Sequence, residues 1–214
     1  MRKQEKKTSR IINIIKQHIL NNLKQYTIVS IFFLIGIVVG VVFVNDGNTE
    51  VNEQIGSHIN TFIDCLKTDY QIDTMSLLKN VMGNHIVLVF LLWFMGCTII
   101  GLPVVYAILV YRGFSLGYTI SSIILTLGTG KGILFCIVTL FMQNLLIIPS
   151  ILALAVSGIK LYQIMVKNKK KENIKIGIIR HTVFSLFILV ILIVSSFIEV
   201  YGSNGIISLC INYF

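Results

Sequence analysis

A chain of 214 residues with 55% apolar side chains, only 13% charged ones and a mean hydropathy of +0.85 lies outside the range of soluble domains, where about a quarter of residues is charged. The formal charge of +9 would suit nucleic acid, yet the basic residues flank hydrophobic stretches instead of alternating with aromatics on a polar face. That placement excludes a nucleic-acid partner and makes membrane lipid the expected surround.

Residues 1–25 read as a basic cytoplasmic N-terminus. Ile11, Ile15, Ile19 and Leu23 line one helical face beside Lys16 and Lys24, the pattern of an interfacial helix drawn to anionic lipid. Residues 26–44 then supply 19 uncharged positions, close to the roughly 20 that cross a hydrocarbon core about 30 Å thick. No small-residue cleavage pattern follows at Val42, Phe43, Val44 and Asn45, so this first span is expected to remain as an anchor. Gly36 and Gly40 form a small-xxx-small pair within it, a signal for close helix approach.

Residues 45–84 carry six of the nine acidic residues and are expected to lie outside. Ile55, Ile59, Phe62, Ile63 and Leu66 recur at steps of three and four, which predicts an amphipathic helix. That stripe suits two compatible roles. The helix can lie on the outer membrane face, or, with Glu50 and Glu53, it can offer a docking surface to an extracytoplasmic partner.

Residues 85–110 give 26 uncharged positions and a second span, with Pro103 as its expected kink. Arg112 is placed in a short inner loop. Residues 113–127 form a short third segment of 15 residues that opens on the pair Gly113 and Gly117, again read as helix packing. A full crossing and a re-entrant pair of half-helices both preserve parity here, so both stay open. The turn through Gly128, Thr129, Gly130, Lys131 and Gly132 resembles a phosphate loop only superficially, since no Lys-Ser or Lys-Thr closes it.

Residues 133–159 make the fourth span, residues 160–180 a basic cytoplasmic loop, residues 181–198 the fifth span and residues 199–214 an outer tail. Gln143 and Asn144 are costly in lipid unless bonded, so at least one is expected to face another helix, as internal glue before a substrate site. Orientation follows from lysine and arginine: fifteen of the eighteen fall on one side in this arrangement, which places the N-terminus inside and the C-terminus outside. The fold class is therefore all-α, a polytopic membrane protein of about five transmembrane helices with a small extracytoplasmic helical loop.

Chemistry is sparse at this level. Asp and Glu are absent from every expected span, and Arg112, Lys131 and Arg180 fall at boundaries, which weakens an ion-coupled transporter. Ser157 and Gly158 with His181 are the nearest approach to a rhomboid-like serine protease, but the first glycine of the nucleophile motif is missing. No zinc-protease motif occurs, and Cys65, Cys97, Cys136 and Cys210 show no metal or redox spacing. An outer bridge between Cys65 and Cys210 remains open. No metal and no cofactor are expected.

Four runs in order resemble one known family. Ile99, Ile100, Gly101, Leu102 and Pro103, then Gly113 with Gly117, Tyr118 and Thr119, then Gln143 through Pro149, and finally Ser195, Ser196, Phe197, Ile198 and Glu199 are similar to stage II sporulation protein M. The family often has a proline where this chain has Met142. The resemblance places Pro149 with the packing residues. It also implies a non-enzymatic scaffold that holds two membrane-anchored peptidoglycan hydrolases, stage II sporulation proteins D and P, in the mother-cell engulfing membrane. A small permease or channel subunit is the competing class, motivated by Gln143, Asn144 and the short third segment.

Overall fold

The computed structural model describes residue 17 and residues 20–47, 53–54, 56–61, 73–167 and 171–202, all helix and turn apart from single link residues. Among the described residues the main α-helices follow in order: α1 (Leu23–Asn45), α2 (Thr74–Gly96), α3 (Gly101–Leu127), α4 (Thr129–Cys136), α5 (Met142–Lys167) and α6 (Lys171–Phe197). A wide π-helical turn at Ile137–Phe141 joins α4 to α5, and a second at Ile198–Gly202 ends α6. Among the described residues, five helices are long and apolar enough to cross a bilayer: Leu23–Asn45, Thr74–Gly96, Gly101–Leu127, Asn144–Val166 and Ile174–Tyr201. The chain is an all-helical, multi-pass membrane protein.

The second and third spans begin and end elsewhere than the uncharged runs suggest. α2 starts at Thr74 because the Asp73 side chain accepts from the backbone N–H groups of Met75 (3.1 Å) and Ser76 (3.2 Å), capping its first turn. It stops at Gly96, where Cys97 and Thr98 fold back onto the carbonyls of Trp93, Phe94 and Met95. A Cβ on Gly101 would collide with the Met95 carbonyl oxygen, so this reversal needs glycine there. Pro103 then sits in the first turn of α3, where its missing N–H has no intrahelical partner to lose. The proline starts a helix and does not kink one.

Moving that break has two consequences. α3 becomes a continuous helix of 27 residues, about 40 Å at 1.5 Å per residue, which removes the re-entrant alternative. Arg112, expected in a loop, lies well inside a span. At the other end, the span Ile174–Tyr201 continues from α6 into the π-helical turn and takes in Glu199, so the expected boundary at residue 198 also fails. α5 likewise continues past Ile159 to Lys167, which shortens the basic loop.

Crossing direction is visible in the α1–α3 contact. Gly36 of α1 faces the backbone of Val110 and Phe114, and Gly40, one turn later, faces Phe114 and Tyr118. Sequence number rises together on both helices, so they run parallel, as two spans separated by one return crossing must. The main core gathers Leu88, Leu92, Val105, Leu109, Ile151, Leu154, Ile188 and Leu192, from α2, α3, α5 and α6. Isoleucine, leucine and valine that face outward along α1 and α6 are the surface expected against lipid.

Candidate functional site

Three side-chain groupings stand out between the helices, and each begins from a local property of the chain. The first is the α1–α3 seam. A Cβ on Gly36 would meet the Val110 carbonyl oxygen, one on Gly40 the Phe114 carbonyl oxygen, one on Gly113 the Phe33 carbonyl oxygen and one on Gly117 the Ile37 carbonyl oxygen. The four glycines expected to pack thus interlock reciprocally, letting the two backbones touch. Phe43 closes the seam edge-on to Phe114 at 5.7 Å, and Phe32 stacks on Tyr106 at 4.5 Å.

The second grouping clamps α2, α5 and α6. A Cβ on Gly96 would sit 3.1 Å from the Gly158 Cα and 2.7 Å from His181 Nε2, so these helices cross at two bare backbones with an imidazole wedged beside them. Ser157 Oγ and His181 Nδ1 share a hydrogen bond of 2.9 Å, and Trp93 Nε1 donates to Thr182 Oγ1 at 3.0 Å. In the sequence Ser157 and His181 offer only an incomplete serine-protease motif. They are in fact partners, with His181 only 1% exposed. Packed this tightly, the pair fixes a helix crossing.

The third grouping is polar and lies at membrane depth. His85 is the central residue of α2, eleven positions from either end, and is 4% exposed. Its Nδ1 lies 2.8 Å from the buried Ser196 Oγ, and the Ser196 hydroxyl donates onward to the Leu192 carbonyl at 3.0 Å. With that hydrogen committed, His85 Nδ1 is the donor. One turn beyond Ser196, the π-helical turn carries Glu199 back toward the bundle, with Oε2 buried. Arg112 of α3 lies within electrostatic reach of both Glu199 and His85.

The expectation of spans without ionisable groups is therefore corrected. Arg112 lies about 16 Å along α3 from Gly101, in a setting where an arginine costs about 2.5–3.5 kcal/mol. The carboxylate of Glu199, in the π-helical turn after α6, lies within electrostatic reach and acts against that cost, and its position 87 residues later in the chain hides the relationship from the sequence. Around Arg112 a cavity of about 150 Å³ opens between α1, α3 and α5, lined by Arg112, Ser115, Thr119 and Asn144 among Phe33, Leu116, Leu140 and Ile147. About five waters would fill it.

Asn144 is not the interhelical glue expected of it. Its Nδ2 donates to Leu140 within its own helical run at 2.9 Å, across the π-helical turn, and its outer edge lines the cavity. The Gln143 side chain lies outside the described residues. Pro149 is inside α5 but exposed, so it faces away from the bundle instead of packing within it.

The helical segment through residues 53–61 also differs from its expected use. Ile59 packs onto Ile123, Phe135 and Cys136 at the α3–α4 corner, and a Cβ on Gly56 would come within 3.9 Å of Thr126. At this position the apolar stripe turns inward onto the protein. Glu53 is exposed, while Glu50, Ile55, Phe62, Ile63 and Leu66 lie outside the described residues, as do Ile11, Ile15 and Ile19 of the N-terminal pattern. Among the described residues, no three His, Cys, Asp or Glu side chains converge as metal ligands, and Cys97 and Cys136 are free thiols.

A family model described as Stage II sporulation protein M matches residues 29–204, most of the chain. No curated protein and no solved structure matches it.

Proposed function

We propose that this chain, which belongs to the stage II sporulation protein M family, is a non-enzymatic membrane scaffold that gathers peptidoglycan hydrolases at the engulfing membrane of a sporulating cell. The match over residues 29–204 carries the reading, because it runs from within α1 to beyond the last described helix and so takes in every span. The structure has what an anchor needs. Glycine contacts lock α1 to α3, and a partly buried serine–histidine bond locks α5 to α6. By family resemblance the partners are stage II sporulation proteins D and P.

Orientation belongs to the same proposal. With Arg112 inside a helix, fourteen of the other seventeen lysines and arginines still lie between Arg2 and Lys24 or between Lys160 and Arg180, which supports a cytoplasmic location for those segments and a wall-side one for residues 53–61. Pull-down of the detergent-solubilised full chain from sporulating cells should recover proteins D and P. Their absence, together with normal engulfment in a deletion strain, would remove the scaffold.

A second reading, a small permease or channel subunit, is favoured by one observation: Arg112, within a span, lines a cavity with Ser115, Thr119 and Asn144. Solute flux into proteoliposomes that disappears on Asn144→Leu would support transport over scaffolding.

A further inference from the structure

We propose that the cavity at Arg112 receives a carboxylate or carboxamide side chain from the single transmembrane helix of a membrane-anchored partner. The inference rests on the scaffold reading and locates its contact within the bilayer.

Depth and exposure give the first step. Ser115 is exposed and Arg112 half-buried, both midway along α3, and the half-buried Asn144 joins them from the start of α5. A polar mouth at that level is unfavourable against lipid tails, and intramembrane polar faces are satisfied by other helices. Only a partner embedded in the membrane can reach it.

Chemistry gives the second step. The guanidinium has five N–H donors and no acceptor, more than the one carboxylate within electrostatic reach, Glu199, could satisfy. Asn144 spends one amide hydrogen on Leu140 and keeps another. The surroundings therefore ask for oxygen acceptors. Because Glu199 already offsets the arginine charge, a neutral carboxamide serves as well as a carboxylate.

Size gives the third step. About 150 Å³ admits one side chain but not a lipid headgroup with its glycerol. Apolar walls from Phe33, Leu116 and Ile147 suit the flank of a helix. Ile59, the described residue of the outer stripe, is turned onto α3 and α4, which directs docking toward the spans.

The test is photo-crosslinking in membranes of sporulating cells, with benzoylphenylalanine at Ser115 and, as a control on exposed lipid-facing surface, at Val190. The expected adduct at Ser115, and not at Val190, contains the membrane-anchor peptide of protein D or P. Arg112→Gln should lower its yield about tenfold, the loss of one strong interhelical hydrogen bond. Ser115→Phe, which blocks the mouth and keeps Arg112 beside Glu199, should lower recovery of the anchored partner similarly, with an unchanged elution profile showing an intact fold. Adducts to phospholipid alone, or to a second copy alone, overturn the inference. So does recovery of D or P through soluble ectodomains stripped of their anchors and indifferent to Arg112→Gln, although the scaffold then stands. Recovery of neither hydrolase in any form removes both.

Discussion

His85 Nδ1 and Ser196 Oγ lie 2.8 Å apart, although 111 positions separate them in the chain. They join the middle of α2 to the end of α6 inside an apolar bundle. Replacing Ser196 with alanine leaves a buried imidazole N–H without its acceptor. We expect Ser196→Ala to lower unfolding free energy by about 1 kcal/mol. The double variant His85→Leu with Ser196→Ala should lose less than the two single losses combined, and thermal unfolding in detergent micelles measures both.

The glycine seam makes a sharper contrast. Gly36→Ala drives a methyl group into the Val110 carbonyl and should destabilise by about 1–3 kcal/mol as α1 is pushed from α3. Gly83, in the interior of α2, has no atom within 4 Å of an added Cβ. Gly83→Ala should therefore stabilise the helix by about 0.5–1 kcal/mol. Equal effects at the two positions, read from the same melting curves, would mean that the α1–α3 backbones do not touch.

Much of this was legible in the sequence, and the misses share a cause. Gly36 with Gly40 and Gly113 with Gly117 are visible because each pair lies one turn apart on a single helix. Gly96 and Gly158 are not, since neither has a neighbour that marks it and they meet only across helices. A charge ordinarily ends a span, so Arg112 reads as a loop residue in sequence, while the carboxylate within its electrostatic reach lies in the π-helical turn after α6. The reversal at residues 97–100 carries no charge and no glycine run. Its signal was Pro103, whose first-turn preference fits a helix start better than a kink.

Ile59 separates packing from docking. Because it fills the corner formed by Ile123, Phe135 and Cys136, Ile59→Asp buries a carboxylate against apolar side chains and should destabilise this corner by about 2 kcal/mol or more. Glu53→Lys, at an exposed position, should leave stability within about 0.5 kcal/mol. Limited proteolysis of the outer segment reports both. Equal protection in the two variants would show that Ile59 faces outward.

Cys97 gives a prediction in pH. Burial pushes its thiol up from the ordinary value, so the reactive thiolate appears only at higher pH than for an exposed cysteine. In a variant keeping Cys97 as its only cysteine, alkylation should be slow near neutrality and still accelerating where a free thiol has levelled off. An ordinary thiol titration curve would place Cys97 on an open surface.

Sidedness is tested most directly by two introduced cysteines in a background with all four native cysteines replaced by serine. Ile100→Cys lies at the α2–α3 link, where the native side chain is 84% exposed, and Gly130→Cys lies in α4, where an added Cβ meets open space. In intact cells a membrane-impermeant maleimide should label Gly130→Cys and spare Ile100→Cys until the membrane is opened. Labelling of Ile100→Cys in intact cells, with Gly130→Cys protected, would invert the protein in its membrane and leave no wall-side surface where the hydrolases are proposed to gather.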